Sequence, residues 1–204
     1  MALRAAKLVP GYNWVKMANR CSLYALDFVP DEGEKTKPLL LGEYAYDIPL
    51  IFKLLVSTSP RICLSLDWPD AGEVAILGDL TQGRERLFMF LDQLTQPLAQ
   101  PLVQPLIEET KAFLARPELQ LPYVLLEPFD IFQMNESDFF AATSRLLEEI
   151  QHLDGRIPTE VETTLTALLA PISTSPKRLW PWQKTQKPRD PLQPLYDLGL
   201  GNWG

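Results

Sequence analysis

A chain of 204 residues, 46% hydrophobic and 22% charged, has the composition of a globular protein and the length of one domain with tails. No apolar run approaches the ~20 residues that cross a bilayer, which excludes an integral helical membrane protein. The net charge of −7 conceals an uneven spread: residues 1–16 and 171–204 carry +3 each, leaving −13 on residues 17–170, and so acidic a body repels phosphate backbones and argues against nucleic acid as a partner.

Residues 1–16 hold Arg4, Lys7 and Lys16 without an acid, and Lys7, Pro10 and Gly11 break the apolar stretch of ~7–15 residues that a secretory signal needs. Met17 is a second candidate start, so 1–16 is expected to be an N-terminal extension. Cys21 to Phe28 reads as the first strand, ending in the charged turn Pro30 to Lys35, with a hairpin return through Leu39, Leu40 and Leu41. Asp47 as cap and Pro49 in a first turn predict a buried helix with Leu50, Ile51, Leu54 and Leu55 on one face, stopped by Ser57 to Pro60. Arg61 to Leu66 and Val74 to Leu77 read as strands. Leu80 to Leu94 is an amphipathic helix in which Leu87, Phe88, Phe90, Leu91 and Leu94 recur at helical spacing.

Gln-Pro-Leu then repeats every four residues from Gln96 to Leu106. Proline at that period removes helix donors, so 96–104 is expected to be an exposed turn-like or polyproline spacer, and Pro105 to open a helix through Ala115. Pro122 to Glu127 is a further strand, with Ile131 to Met134 as a hairpin partner. Asn135 or Ser137 would cap a long helix carrying Phe139, Phe140, Leu146, Leu147 and Ile150, and a shorter helix from Pro158 to Leu169 closes the body. Strands and helices in this order predict an α/β (α+β) fold: a single mixed or antiparallel sheet packed with about five helices. Residues 171–204, rich in proline and without periodicity, are expected to form a largely disordered basic tail after an acidic domain over 17–170.

Chemistry-bearing patterns are sparse. His152 is the sole histidine and sits near a helix end, where cations are favoured without any function; no nucleophile elbow accompanies it. Cys21 and Cys63 lie in apolar strands and read as buried free thiols of a reducing compartment. Asp67, Asp70, Glu73 and Asp79 gather near strand ends but lack a metal-loop order, and read as solvated loop acids. Gly78 and Gly83 flank a strand-to-helix junction without a phosphate-loop spacing, although Thr81, Gln82, Gly83, Arg84 and Arg86 at a helix N-terminus have the chemistry of an anion site. Tyr44, Tyr46 and Asp47 form either a hydrogen-bonded corner at the start of the buried helix or the rim of a small pocket, the corner being the simpler reading. Trp180, Trp182, Tyr196 and Trp203 give the tail aromatic anchors that suit folding back on the body, docking elsewhere, or neither.

The strings "MANR", "SLY", "EYAYDIPLIFKLL" and "AILGDLTQGRERL" resemble an uncharacterised family of small bacterial proteins opening with a MANR-S-Y-LY type sequence and carrying a Y-D-I-P-L-x-F-K-x-L-L segment. The likeness spans about residues 17 to 153. It implies a start near Met17 and a shared fold, and carries over no catalytic residue.

The leading functional expectation is a non-catalytic cytoplasmic interaction protein, an immunity-type or accessory factor whose acidic body binds a basic protein partner. No catalytic residue, cofactor, metal or membrane association is expected, and Trp180, Trp182, Tyr196 and Trp203 are the candidate partner-binding residues. The alternative is a small-molecule sensor or enzyme with a pocket near Tyr46, Asp47, Asp79 and Arg84.

Overall fold

The structure is a computed structural model that describes residues 19–32, 36–95, 103–169 and 190–203. The extension and Met17, the turn residues 33–35, the repeat over 96–102 and both Trp180 and Trp182 lie outside them. Along the described chain run β1 (Arg20–Leu26), β2 (Leu39–Ala45), α1 (Leu50–Val56), β3 (Arg61–Cys63), β4 (Ala75–Asp79), α2 (Leu80–Thr95), α3 (Val103–Leu114), β5 (Tyr123–Glu127), α4 (Phe129–Asn135), α5 (Phe139–Gln151), α6 (Leu153–Leu169) and α7 (Gln193–Leu198). The five strands form one sheet in the order β2-β1-β5-β4-β3, antiparallel throughout. The expected α+β fold is therefore observed, with seven helices among the described residues.

Side chains alternate across a strand, and that alternation gives the sheet two different faces. One face, with Cys21, Leu23, Ala25, Ile76, Val124 and Leu126, packs on the helices through Ile51, Phe52, Leu55, Leu87, Phe90 and Leu91. Each such fully buried large side chain contributes roughly 1.5–3 kcal/mol of transfer free energy, so this layer supplies most of the driving force. The opposite face carries Leu26, Cys63, Ala75, Leu77 and Leu125, with Phe28 and Val29 folded over it from the β1–β2 connection. Loops with single 3-10 turns at Pro30–Glu32 and Pro69–Ala71, rather than α-helices, cover that side. Leu41 is an extra residue opposite β1, where the register steps from Leu23↔Gly42 to Tyr24↔Leu40. The resulting bulge twists the edge strand.

Several expected elements are corrected. Ile131 to Met134 is helical in α4, because Pro128 ends β5 and its carbonyl accepts from the amides of Ile131 and Phe132, starting a turn that buries Phe129 and Phe132 together. Asp47 does not cap α1: the N-cap position is Pro49, and the Asp47 carboxylate accepts from Ile48 N–H at 2.7 Å, two residues too early. α5 is capped by Asp138, which accepts from Ala141 N–H at 3.0 Å, instead of Asn135 or Ser137. β3 stops at Cys63, since Leu64 N–H turns to Asp31 and Leu66 N–H to Glu127. α6 begins at Leu153 and carries Pro158 inside it. Residues 103 and 104, expected in the spacer, are already helical. The single tail expected from 171 divides: 171–189 lies outside the described residues, whereas 190–203 contains α7 and buries Leu195, Leu198 and Leu200 in the main core.

Tyr46 adopts φ 67° with its ring 65% exposed, while its N–H donates to Asn19 O at 2.9 Å. The left-handed conformation costs a side chain about 1 kcal/mol that glycine does not pay, and little packing is lost with this ring. Tyr46→Gly is expected to raise the unfolding free energy by about 0.5–1 kcal/mol in urea titration.

Candidate functional site

The residues singled out for a pocket fall at opposite ends of the sheet. Ala45, next to Tyr46 and Asp47, pairs with Arg20 at the start of β1, whereas Asp79 pairs through Tyr123 with Leu26 at its end. Six strand steps of ~3.3 Å place them about 20 Å apart along the sheet. Asp79 accepts from Gln82 N–H at 2.9 Å and caps α2, while Arg84 donates to Leu114 O at 3.2 Å, a cation on the last carbonyl of α3.

The Gly78 to Arg86 junction is a seat for the end of α1. A Cβ at Gly78 would stand 2.5 Å from Val56 O, and one at Gly83 would stand 1.8 Å from Leu55 O, so both positions admit backbone only. Asp79 N–H donates to Thr58 O at 2.9 Å, and Arg86 donates to the Ser57 carbonyl and hydroxyl at 3.1 and 2.8 Å while pairing with Asp154. The helix N-terminus and its arginines thus hold protein carbonyls in the places where an anion was envisaged. His152 closes α5, its Nδ1 2.7 Å from Glu148 O. Cys21 and Cys63 are free and buried, as expected.

A polar cluster does assemble beneath the 64–74 loop on the helix-free face. Glu127, 3% exposed, accepts from Ser65 Oγ and from Leu66 N–H, each at 2.7 Å, and Ser65 Oγ in turn accepts from Trp68 N–H at 2.9 Å. Burial pushes the Glu127 carboxyl up to about 7, against the hydrogen bonds from Ser65 and Leu66 that favour its charged form. Next to it, Tyr24 Oη donates to Asp67 at 3.1 Å; burial and then the Asp67 charge raise the phenol to about 12. Asp67 and Asp130 are themselves raised, by burial first. Burial and the charges of Asp31, Glu127 and Glu73 push the Cys63 thiol up, so these acids surround one strand end. Sequence reading missed Glu127, yet the alternation of Tyr123-Val124-Leu125-Leu126-Glu127 places it on the same inward face as Leu125.

Apolar groups are exposed around this cluster. Leu40, cross-strand from Tyr24, is 40% exposed, Leu64 39% and Trp68 44%; Trp68 rests on Phe129 with ring centroids 5.5 Å apart. The arrangement can present an aromatic and two leucines within a field of carboxylates, and it holds a proton-binding group beneath them. Among the described residues no cluster of three or more histidine, cysteine, aspartate or glutamate side chains is placed to hold a metal ion, and no helix is long and apolar enough to cross a membrane.

Of the tail aromatics, Trp203 lies against the body, stacking on Phe113 with centroids 5.5 Å apart and donating from Nε1 to Thr110 Oγ1 at 2.9 Å, while Tyr196 sits in α7 beside Gly201 of its own segment. No curated protein and no solved structure matches the chain. The sequence model of one family, described as a domain of unknown function (DUF7822), matches residues 27–171, and with the greater part of its length inside that match the chain belongs to the DUF7822 family.

Proposed function

We propose that the protein is a non-catalytic interaction factor of a bacterial cytoplasm, whose acidic helix-free sheet face binds a basic protein. The observation that carries this reading is the patch itself: exposed Leu40, Leu64 and Trp68 lie among Asp31, Asp67, Asp70 and Glu73, with Arg61 an opposing charge beside Cys63. Large apolar side chains at the centre of a charged rim are the composition of a hot spot, where the ring supplies affinity and the carboxylates supply orientation and association rate. Buried free thiols suit a reducing compartment. The strings read as family motifs, including the opening around Asn19 and Arg20, and the bacterial origin belong to the same proposal.

The test compares immobilised full-length protein with a Trp68→Ala/Asp70→Lys/Glu73→Lys variant of unchanged circular dichroism, each exposed to native lysate. A basic protein retained by the wild type, released at 0.5 M salt and at least tenfold depleted on the variant supports the reading. Equal retention on both would move the interface elsewhere, and no salt-sensitive partner would remove the proposal.

A further inference from the structure

The groove on the helical side of the molecule has the features of a peptide-binding site with its ligand in place. Residues 190–203 form the occupant. Asp190 accepts from Leu192 N–H at 2.9 Å and starts α7, which Gly199 ends at φ 106° with its N–H donated to Tyr196 O and the Leu200 N–H donated to Leu195 O. From there the chain runs to β2, where Trp203 forms an antiparallel bridge with Gly42. The groove consists of α6, which packs on α7, and of β2, α1 and α3, which receive the residues around and after it. It accepts Leu195 and Leu200 at 0% exposure, and the Trp203 ring between Phe113 and Phe52, at 5.5 and 6.1 Å between centroids.

Three observations set this contact apart from ordinary core packing. The groove residues Gly42, Pro49, Phe52, Thr110 and Phe113 lie within 27–171, the extent of the family match, and the whole segment lies outside it. The groove carries one specific polar group: Thr110, 0% exposed on an otherwise apolar helix face, accepts the Trp203 indole N–H at 2.9 Å. Its backbone clearance is also fitted to the segment, because a Cβ at Gly42 would stand 2.4 Å from Asn202 O, and a Cβ at Gly199 2.8 Å from Pro49 Cβ. A short helix laid in a groove, a backbone bridge to a sheet edge and one buried aromatic anchor are the elements of peptide recognition. A cavity of about 240 Å³, lined by Glu109, Ala112, Phe113, Arg116 and Trp203, remains beside the anchor.

The geometry points to a peptide-docking groove on β2, α1, α3 and α6 whose ligand is the Leu195 to Trp203 segment, supplied here in cis and open to the same segment of a second copy once the cis segment is displaced. The twenty residues 170–189 reach at most about 70 Å, enough for the segment to dock on its own body or on a neighbour's. A tethered ligand faces its groove at about millimolar effective concentration, so the cis contact excludes a free segment until the tether is cut or copies are concentrated.

The experiment inserts a specific protease site between residues 180 and 186 of the full chain, cuts it, and titrates labelled peptide 190–203 by fluorescence anisotropy. The cut protein is expected to take up the peptide saturably, with the uncut protein at least tenfold weaker. A Trp203→Ala peptide should lose at least tenfold in affinity, and a cut Gly42→Ala protein should take up none. Failure of the cut protein to exchange, or loss of its fold on cutting, would make the segment a permanent part of the core and overturn the inference. Equal uptake by cut and uncut chains, or by the Trp203→Ala peptide, would place the binding outside the groove and overturn it as well.

Discussion

Gly83→Ala is expected to destabilise the protein by about 3 kcal/mol or more, near the top of the range for overpacking, and to lower Tm by about 10 °C. The added methyl would stand 1.8 Å from Leu55 O and 2.8 Å from Leu55 C, and those atoms belong to the backbone of α1, which cannot rotate away as a side chain can. Relief requires α1 and α2 to separate, and the same movement would strain the Arg86 hydrogen bonds to Ser57 and the Asp79 amide bond to Thr58. Gly155→Ala is the control within the same chain. Gly155 is helical with nothing within 4 Å of the built Cβ, so alanine there should stabilise by about 0.5–1 kcal/mol through helix propensity. Urea titration of both variants beside the wild type checks the pair, and a loss below 1 kcal/mol for Gly83→Ala would show that the two helices are not held backbone to backbone.

The Gly78 to Arg86 segment also shows what can and cannot be read from a sequence of this kind. Its glycines mark a strand-to-helix junction in the sequence, but the backbone they admit is not legible there, because Leu55 and Val56 lie more than twenty residues away and only the fold brings them in. The sheet and its long helices follow from local periodicity: Leu87, Phe90, Leu91 and Leu94 share a face whatever they pack against. Helix starts are less legible: at 135–138 three capping residues stand within four positions and packing selects Asp138, while at α1 the helix begins two residues past Asp47, with Pro49 at the N-cap. Ile131 to Met134 reads as a hairpin strand in the sequence yet lies inside the Phe129 to Asn135 helix, because so short an apolar stretch fits both periods. Tyr46, Asp47, Asp79 and Arg84 were grouped by residue type, but strand order separates the first two from Asp79 by the length of β1. Trp203 is legible as an anchor, and its groove is not, being assembled from four elements distant in sequence.

Glu127 should give the protein a stability that falls as pH rises from about 5 to about 8. Its carboxyl is raised from an ordinary 4.5 to about 7 in the folded state, so between those values the native state binds a proton that the unfolded chain has released. The contribution is fully present below 4.5 and is lost as pH rises through 7; the gap between the two corresponds to about 3 kcal/mol. Asp67 and Asp130, raised by burial, act in the same direction, as both face the same loop. Glu149 acts oppositely: burial raises it, but hydrogen bonds and charge from Lys53 and Arg156 hold it below its usual value, so its contribution is lost only as pH falls below 4.5. Glu127→Gln isolates the effect, because its amide oxygen can still accept from Leu66 N–H while the side chain no longer ionises. At pH 5 the variant is expected to match the wild type within about 1 kcal/mol, and at pH 8 to exceed it by about 2–3 kcal/mol. Glu127→Ala should instead lose about 2–4 kcal/mol at pH 5, since it leaves the Ser65 hydroxyl and the Leu66 amide buried without their acceptor. Chemical denaturation at pH 5, 6.5 and 8 measures all three proteins, and parallel profiles for wild type and Glu127→Gln would place the ionisation elsewhere. Because Ser65 Oγ bridges Glu127 to the Trp68 amide, the carboxyl that titrates here also supports the loop presenting the exposed indole, so variants that loosen it should weaken the partner binding proposed for this face without touching the acidic rim.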